Sequence, residues 1–169
     1  MNIFITGIAG FLGSNLADFY IKKGFSVSGC DNLVGGDLDN VSSKVNFVKA
    51  DCEDLNKMRD LTKNIDVVIH SAAYAHEGLS VVSPNIICSN IVNASTSIFS
   101  AAIQNKVKRI IFCSSMARYG TNKVPFREDY TPRPQDPYGI AKVAAEDILK
   151  NLCEVHNVEY VIAVPHNII

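Results

Sequence analysis

Tyr138 and Lys142 stand four positions apart in the run Asp136-Pro137-Tyr138-Gly139-Ile140-Ala141-Lys142. In a helix that spacing puts both side chains on one face, so a phenol and an ammonium can reach a single site. A free phenol ionises near pH ~10, and a nearby ammonium or the positive end of a helix favours its phenolate. Such a tyrosine can serve as a general base toward a hydroxyl. Asp136 and Pro137 supply the N-cap and first-turn residue that would start the helix just ahead of the pair. A third reactive group comes from Cys113-Ser114-Ser115-Met116, where hydroxyls follow an apolar run. They fall at the C-terminal end of a predicted strand, the edge at which open α/β sheets bind ligands. Ser115 is the candidate to hold the same substrate oxygen as Tyr138. Each pattern alone is common, because terminal serines often just turn the chain and Tyr–Lys pairs arise on many helix surfaces. The inference rests on their conjunction.

Near the N-terminus, Thr6-Gly7-Ile8-Ala9-Gly10-Phe11-Leu12-Gly13 joins a predicted strand to a predicted helix. Glycine admits positive φ and close backbone approach, and free N–H groups at a helix N-terminus attract phosphate oxygens. The spacing is G-x-x-G-x-x-G rather than the commoner G-x-G-x-x-G, but it occupies the same place. Gly7, Gly10, Phe11 and Gly13 are therefore candidate contacts for a dinucleotide pyrophosphate. Asp31 ends the second predicted strand about 20 residues further on, where an acid accepts hydrogen bonds from the adenosine ribose. A carboxylate there repels a 2′-phosphate, which favours NAD over NADP. A solvated turn is the plainer reading of Asp31-Asn32. It also stays open for Asp51-Cys52, which follow the third strand where such folds approach the adenine. The fourth strand runs into His70-Ser71-Ala72-Ala73, and the small Ala72 and Ala73 would let a cofactor lie against the strand end. His70 reads as a structural histidine rather than a base.

These positions need a frame. Apolar, β-branched runs at 2–6, 26–30, 45–49, 66–70, 109–113 and 160–164 read as strands, several of them continuously apolar as in a parallel sheet covered on both faces. The ranges 11–23, 54–63, 84–105 and 137–156 have helical length and spacing. Strand and helix in alternation predict a doubly wound α/β domain of Rossmann type over residues 1–169. The stretch 121–137, with Pro125, Pro132, Pro134 and Pro137, is irregular and long, of the kind that lines a site or moves.

Composition bounds the partners. The 169 residues are 47% hydrophobic and 20% charged, enough for one sizeable core. Lys and Arg number 16 against 17 Asp and Glu, with no run of like charge, which argues against electrostatic nucleic-acid binding. Five scattered cysteines without a C-x-x-C pair argue against a secreted disulfide framework. The apolar N-terminus lacks a basic front end, and no apolar run reads as the roughly 20 residues of a membrane span. The expectation is a cytoplasmic protein without a membrane or nucleic-acid partner.

Taken together, the sequence resembles the extended short-chain dehydrogenase/reductase superfamily, in its nucleotide-sugar epimerase/dehydratase branch, over essentially the whole chain. The resemblance is carried by Thr6 to Gly13, Asp31-Asn32, His70 to Ala73, Ser80-Val81 with Pro84 and Asn90, Ser115 ahead of Tyr119-Gly120, Tyr138 to Lys142, and Pro165-His166-Asn167. It implies a tightly held NAD and a catalytic trio of Ser115, Tyr138 and Lys142, the last two also touching the cofactor. It further implies Asn90 near the cofactor, and Asn167 with Ser115 near a nucleotide-sugar substrate. Dehydratases of the branch carry Asp-Glu directly after the catalytic Ser or Thr, and related decarboxylases carry Glu at the second position. Here Met116 and Ala117 occupy those positions and cannot move protons. The resemblance therefore implies a 4-epimerase, which oxidises C4 of a UDP-hexose to a 4-keto sugar and returns the hydride to the other face. A related reductase or dehydratase, and a non-catalytic NAD-binding module, are the alternatives.

Some features depart from the family pattern. Ala94 and Ser95 stand where many relatives have Gly-Thr, and Val164 where many have Arg. Family members run to about twice this length, and the remainder builds most of the sugar-nucleotide pocket. The chain thus reads as the cofactor half alone, without the C-terminal substrate lobe, ending as the sixth strand meets the substrate motif. Members of the family dimerise through a four-helix interface formed by the helices that correspond to 84–105 and 137–156. In such a homodimer Ile91, Ile98, Ala102, Ala145 and Leu149 could supply apolar contacts; the alternative is that they face the sheet of their own chain.

Overall fold

A computed structural model describes residues 1–168. Six parallel strands form one sheet: β1 (Asn2–Thr6), β2 (Ser26–Asp31), β3 (Asn46–Lys49), β4 (Val67–His70), β5 (Arg109–Cys113) and β6 (Glu159–Ala163). Their order across the sheet is β3-β2-β1-β4-β5-β6. The winding reverses between β1 and β4, so a crevice opens at the C-terminal ends of those two strands. Alternate side chains of a strand go to opposite faces. Ile3 and Ile5 of β1 join Ala17, Val27 and Ile69 on one side, whereas Phe4 joins Val68, Ile110 and Phe112 on the other. With both faces apolar, a buried strand shows no polar alternation, which accounts for the continuous runs in the sequence.

The helices are α1 (Phe11–Lys22), α2 (Leu55–Leu61), α3 (Glu77–Val82), α4 (Pro84–Cys88), α5 (Ala94–Gln104) and α6 (Pro137–His156), with a π-helical turn at Ser89–Asn93 between α4 and α5. α3 was not foreseen, because six residues are too few to display a helical period. The predicted helix over 84–105 is continuous but contains the π turn, and Asn90 lies within it. Such turns free a backbone group and often mark functional positions.

Pro84–Gln104 is 21 residues long and contains an 18-residue window of mean hydropathy 1.5, long and apolar enough to cross a membrane by length and composition. That corrects the expectation that no segment qualifies. In the fold its apolar face is taken up by the domain core, where Ile87, Ile91, Ile98 and Phe99 are buried with Phe112 and Val68. Of the two roles open to Ile91, Ile98, Ala102, Ala145 and Leu149, they take the inward one, each at most 1% exposed within a single chain. Helical spacing marks an apolar face but not the neighbour that covers it, and here α5 and α6 turn theirs toward the core. The irregular stretch 121–137 is tied down. Arg133 N–H donates to Arg118 O at 2.8 Å, the Asn122 amide donates to the carbonyls of Tyr119 and Thr131, and Phe126 stacks between Tyr119 and His166.

Candidate active site

β1 delivers the chain into the glycine turn. Gly7 has φ of 69°, and a Cβ added there would lie 2.8 Å from Ala72 Cα. Gly10 is the N-cap of α1 and offers no side chain to its amides, which leaves first-turn N–H groups open to an anion. The cleft beside this turn has a volume of about 280 Å³ and is lined by Gly7, Gly10, Asp31, Asn32, Ala72 and Ala73, as well as Asp51, Cys52 and Asn90. A backbone cradle that admits no Cβ, next to a helix N-terminus, fits the pyrophosphate of a dinucleotide.

Two predicted contacts take other forms. The Phe11 side chain is 59% exposed and outside the lining, so what Phe11 can offer the cleft is its backbone N–H at the start of α1. Gly13 is buried beneath the turn, where a Cβ would meet Gly7 O at 2.1 Å. Its role is the close approach of α1 to the turn, not ligand contact. Asp31 does line the cleft, yet its carboxylate already accepts from Ala9 N–H at 3.1 Å and Leu33 N–H at 2.8 Å. The second bond holds Leu33 at φ 65°, a left-handed conformation. Asp31 is thus a turn residue as well as a candidate ribose ligand. Asn90 Oδ1 accepts from Tyr74 N–H at 2.7 Å and so braces the loop after β4.

Ser115, Tyr138, Lys142 and Asn167 line a second cavity. Ser71, Ala73 and Tyr74 to His76 border both cavities, which makes them one continuous groove along the switch point. Ser115 follows β5 and caps a short 3-10 turn, Met116–Tyr119, its Oγ accepting from Ala117 N–H at 3.2 Å. The Asp136 carboxylate caps α6 by accepting from Gly139 N–H at 2.8 Å. That fixes the phase of the helix, so Tyr138 and Lys142 both point inward, 6% and 2% exposed. Lys142 Nζ donates to Cys113 O at 2.8 Å and lies 4.9 Å from the Phe112 ring centroid and 5.9 Å from that of Tyr138. Burial pushes Lys142 down to about 8. Burial also raises Tyr138 above the ordinary phenol value, with the Ser115 hydroxyl partly offsetting it and Glu77 and Asp136 adding to the rise. The ammonium is directed at a carbonyl of β5, and desolvation is the largest influence on the phenol.

The sequence reading missed Leu12, His76, Glu77 and Met116 as lining of the second cavity. Leu12 sits between the motif glycines and was open to notice; His76 and Glu77 arrive with α3, which left no periodic signal.

His70 is structural, as its sequence context suggested. Its Nδ1 meets Thr6 Oγ1 at 2.7 Å and its Nε2 meets Ser95 Oγ at 3.0 Å, so both ring nitrogens are paired. Burial, with a smaller contribution from Lys142, pushes it down to about 3. An unfolded chain protonates this histidine near pH ~6.5 while the folded one does not. Stability from this group is therefore complete above that value and lost progressively as pH falls toward 3. Urea unfolding between about pH 7 and 4 should show a steeper loss in the parent than in His70→Asn. Equal slopes would remove His70 as the cause.

The family model described as "NAD dependent epimerase/dehydratase family" matches residues 3–169. The chain belongs to this family. Among curated members, UDP-glucose 4-epimerase of Halalkalibacterium halodurans is 33% identical over 164 residues, spanning 95% of this chain and 49% of its own. UDP-glucose 4-epimerase of Streptomyces lividans is 31% identical, over 90% of this chain and 47% of its own. UDP-glucose 4-epimerase from Brucella ovis, solved in complex with NAD, superposes with a TM-score of 0.94 at 31% identity, covering 98% of this chain and 52% of that one. The Thermotoga maritima enzyme, solved with UDP-glucose, gives 0.92 at 34% identity, covering 96% and 54%. This epimerase/dehydratase-family chain therefore spans about half the length of the relatives it matches, and the cofactor-type groove at its switch point lies within the shared half.

Proposed function

We propose that this chain is the cofactor-holding and catalytic part of a UDP-sugar 4-epimerase. The observation that carries the reading is the meeting of Ser115 from the end of β5 with Tyr138 and Lys142 from α6 in one cavity, continuous with the glycine cleft. Support comes from the relatives named UDP-glucose 4-epimerase and from the neighbours solved with NAD or UDP-glucose. In this reading Gly7, Gly10 and the first amides of α1 hold the NAD pyrophosphate, and Asp31 holds the adenosine ribose. Bound there, NAD supplies an acceptor and donor of hydride. Tyr138 takes the proton leaving the C4 hydroxyl, Ser115 holds that oxygen, and the Lys142 ammonium favours the phenolate. The sugar becomes a 4-keto species that can be reduced from either face. Met116 and Ala117, directly after Ser115, offer no acid or base for elimination, which favours epimerisation over dehydration.

Because the matched relatives are about twice as long, turnover of a UDP-hexose panel is to be measured in a polypeptide of their full length. Cofactor binding is to be measured on this chain. Calorimetry should find NAD bound in preference to NADP, and Asp31→Ala should cut that preference by about tenfold or more, the loss of a charge-assisted hydrogen bond. Asp31→Asn removes the charge but keeps one acceptor oxygen, enough for the Leu33 N–H and not for the Ala9 N–H as well. Equal or tighter NADP binding by the parent overturns the assignment.

A further inference from the structure

We propose that Glu146 is a positioning residue: paired with Arg118 and bonded to Ser114, it fixes the turn that carries Ser115 against the helix that carries Tyr138 and Lys142. The proposal rests on the epimerase reading for what those three groups do, and on the geometry alone for how they are held. Glu146 lies on α6, one helical turn beyond Lys142, and is 0% exposed. Its Oε1 accepts from Ser114 Oγ–H and stands 3.0 Å from Arg118 Nε. Ser114 directly precedes Ser115, and Arg118 sits in the 3-10 turn that Ser115 caps. One carboxylate on α6 thus holds the Ser115 segment on both sides.

A buried ion pair is a poor device for stability alone, because desolvation cancels much of the Coulombic gain and apolar residues of similar volume often serve as well. The pair here is not even saturated: among the described residues neither Arg118 Nε nor Glu146 Oε2 has a hydrogen-bond partner, so the Arg118 contact is an ion pair, and Lys150 Nζ lies 3.8 Å from Oε2. What the directed bond from Ser114 achieves, with the Arg118 ion pair beside it, and apolar packing does not is a fixed rotation of the turn. Displacing a reactive group by about 1 Å can cost a hundredfold in rate, so such a fix matters for Ser115. Glu146 also acts on Lys142, since its negative charge supports the ammonium against burial. The titratable groups around Lys142 are Cys113 on β5, His70 on β4, and Tyr138 and Glu146 on α6, with Arg118 beyond Glu146.

The test follows Lys142 directly in the chain labelled with ¹³C at the lysine ε-carbon, where the parent is expected to titrate at about 8. Glu146→Gln is expected to lower that midpoint and to move the amide signals of Ser115 and Ala117. Glu146→Asp, which keeps the charge, is expected to bring the midpoint back. Replacing both partners, Glu146→Leu with Arg118→Leu, should recover the unfolding temperature lost in Glu146→Gln while the Lys142 midpoint stays low. In a polypeptide of family length, Glu146→Gln should lose about tenfold or more in kcat with little change in KM. A Glu146→Gln chain that unfolds earlier but keeps the parent Lys142 midpoint and Ser115 signals overturns the proposal. If that variant does not fold, the paired leucine variant decides, and a parent-like midpoint there overturns it. NAD binding is measured on the same samples. Its absence from the parent defeats the epimerase reading, whereas moved Ser115 and Ala117 amide signals in Glu146→Gln support the clamp independently of it.

Discussion

Tyr138→Phe, in a polypeptide of the relatives' full length, should leave NAD bound and lower hydride transfer from a UDP-hexose by roughly 10² to 10⁴, the usual cost of losing a general base. The ring is buried against Lys142 and the end of β5, and phenylalanine keeps that packing while removing only the hydroxyl. Burial holds the Tyr138 phenol above its ordinary value, so the residual cationic character of Lys142 matters. Lys142 carries its charge below about 8, and its support for the phenolate fades as pH rises through that value. Lys142→Met should therefore depress the rate most at neutral pH and least in alkali. Cofactor reduction is followed by absorbance after addition of UDP-glucose. A Tyr138→Phe protein that reduces NAD as fast as its parent would show that another group is the base.

Gly13→Ala should abolish measurable NAD binding and destabilise the chain by about 1 to 3 kcal/mol, the range for overpacking a tight interior. The reason lies in three backbone contacts. A Cβ at Gly13 would meet Gly7 O at 2.1 Å, and Gly7 C and Ile8 Cα at 2.8 Å. None of these atoms can rotate away, so α1 must move off the turn that forms the cradle. Gly10→Ala is milder, because its Cβ would meet only Gly7 O, at 3.3 Å. Calorimetric titration with NAD and urea unfolding check both effects. Parent-like affinity in Gly13→Ala would mean that the cradle does not hold the pyrophosphate.

Much of the frame was legible in the sequence because it rests on local rules. Buried parallel strands announce themselves as continuous apolar runs, and β1 and β5 fall within the predicted residues. Asp136 and Pro137 start α6 where expected, since a capping carboxylate and a first-turn proline act within a few residues of themselves. The glycine motif fixed its own turn for the same reason: a position that excludes a Cβ leaves little alternative to glycine.

What the tertiary structure decided was direction and company. Sequence spacing placed Ile98 and Leu149 on apolar faces, but only the packing of α5 and α6 turned those faces inward rather than toward a second copy. Tyr138 and Lys142 were legible as a pair, whereas the bond from Lys142 to Cys113 O and the resulting dominance of burial over charge at the phenol were not. Asp31 was legible as an acid at a strand end, but not as one already engaged by the amides of Ala9 and Leu33. Ser114, Arg118 and Glu146 carry no motif that links them, and they meet because the turn after β5 comes to rest on α6. Period, cap and turn are properties of neighbours in the chain. Electrostatic environment is a property of neighbours in space, and it depends on distances that no spacing along the sequence records.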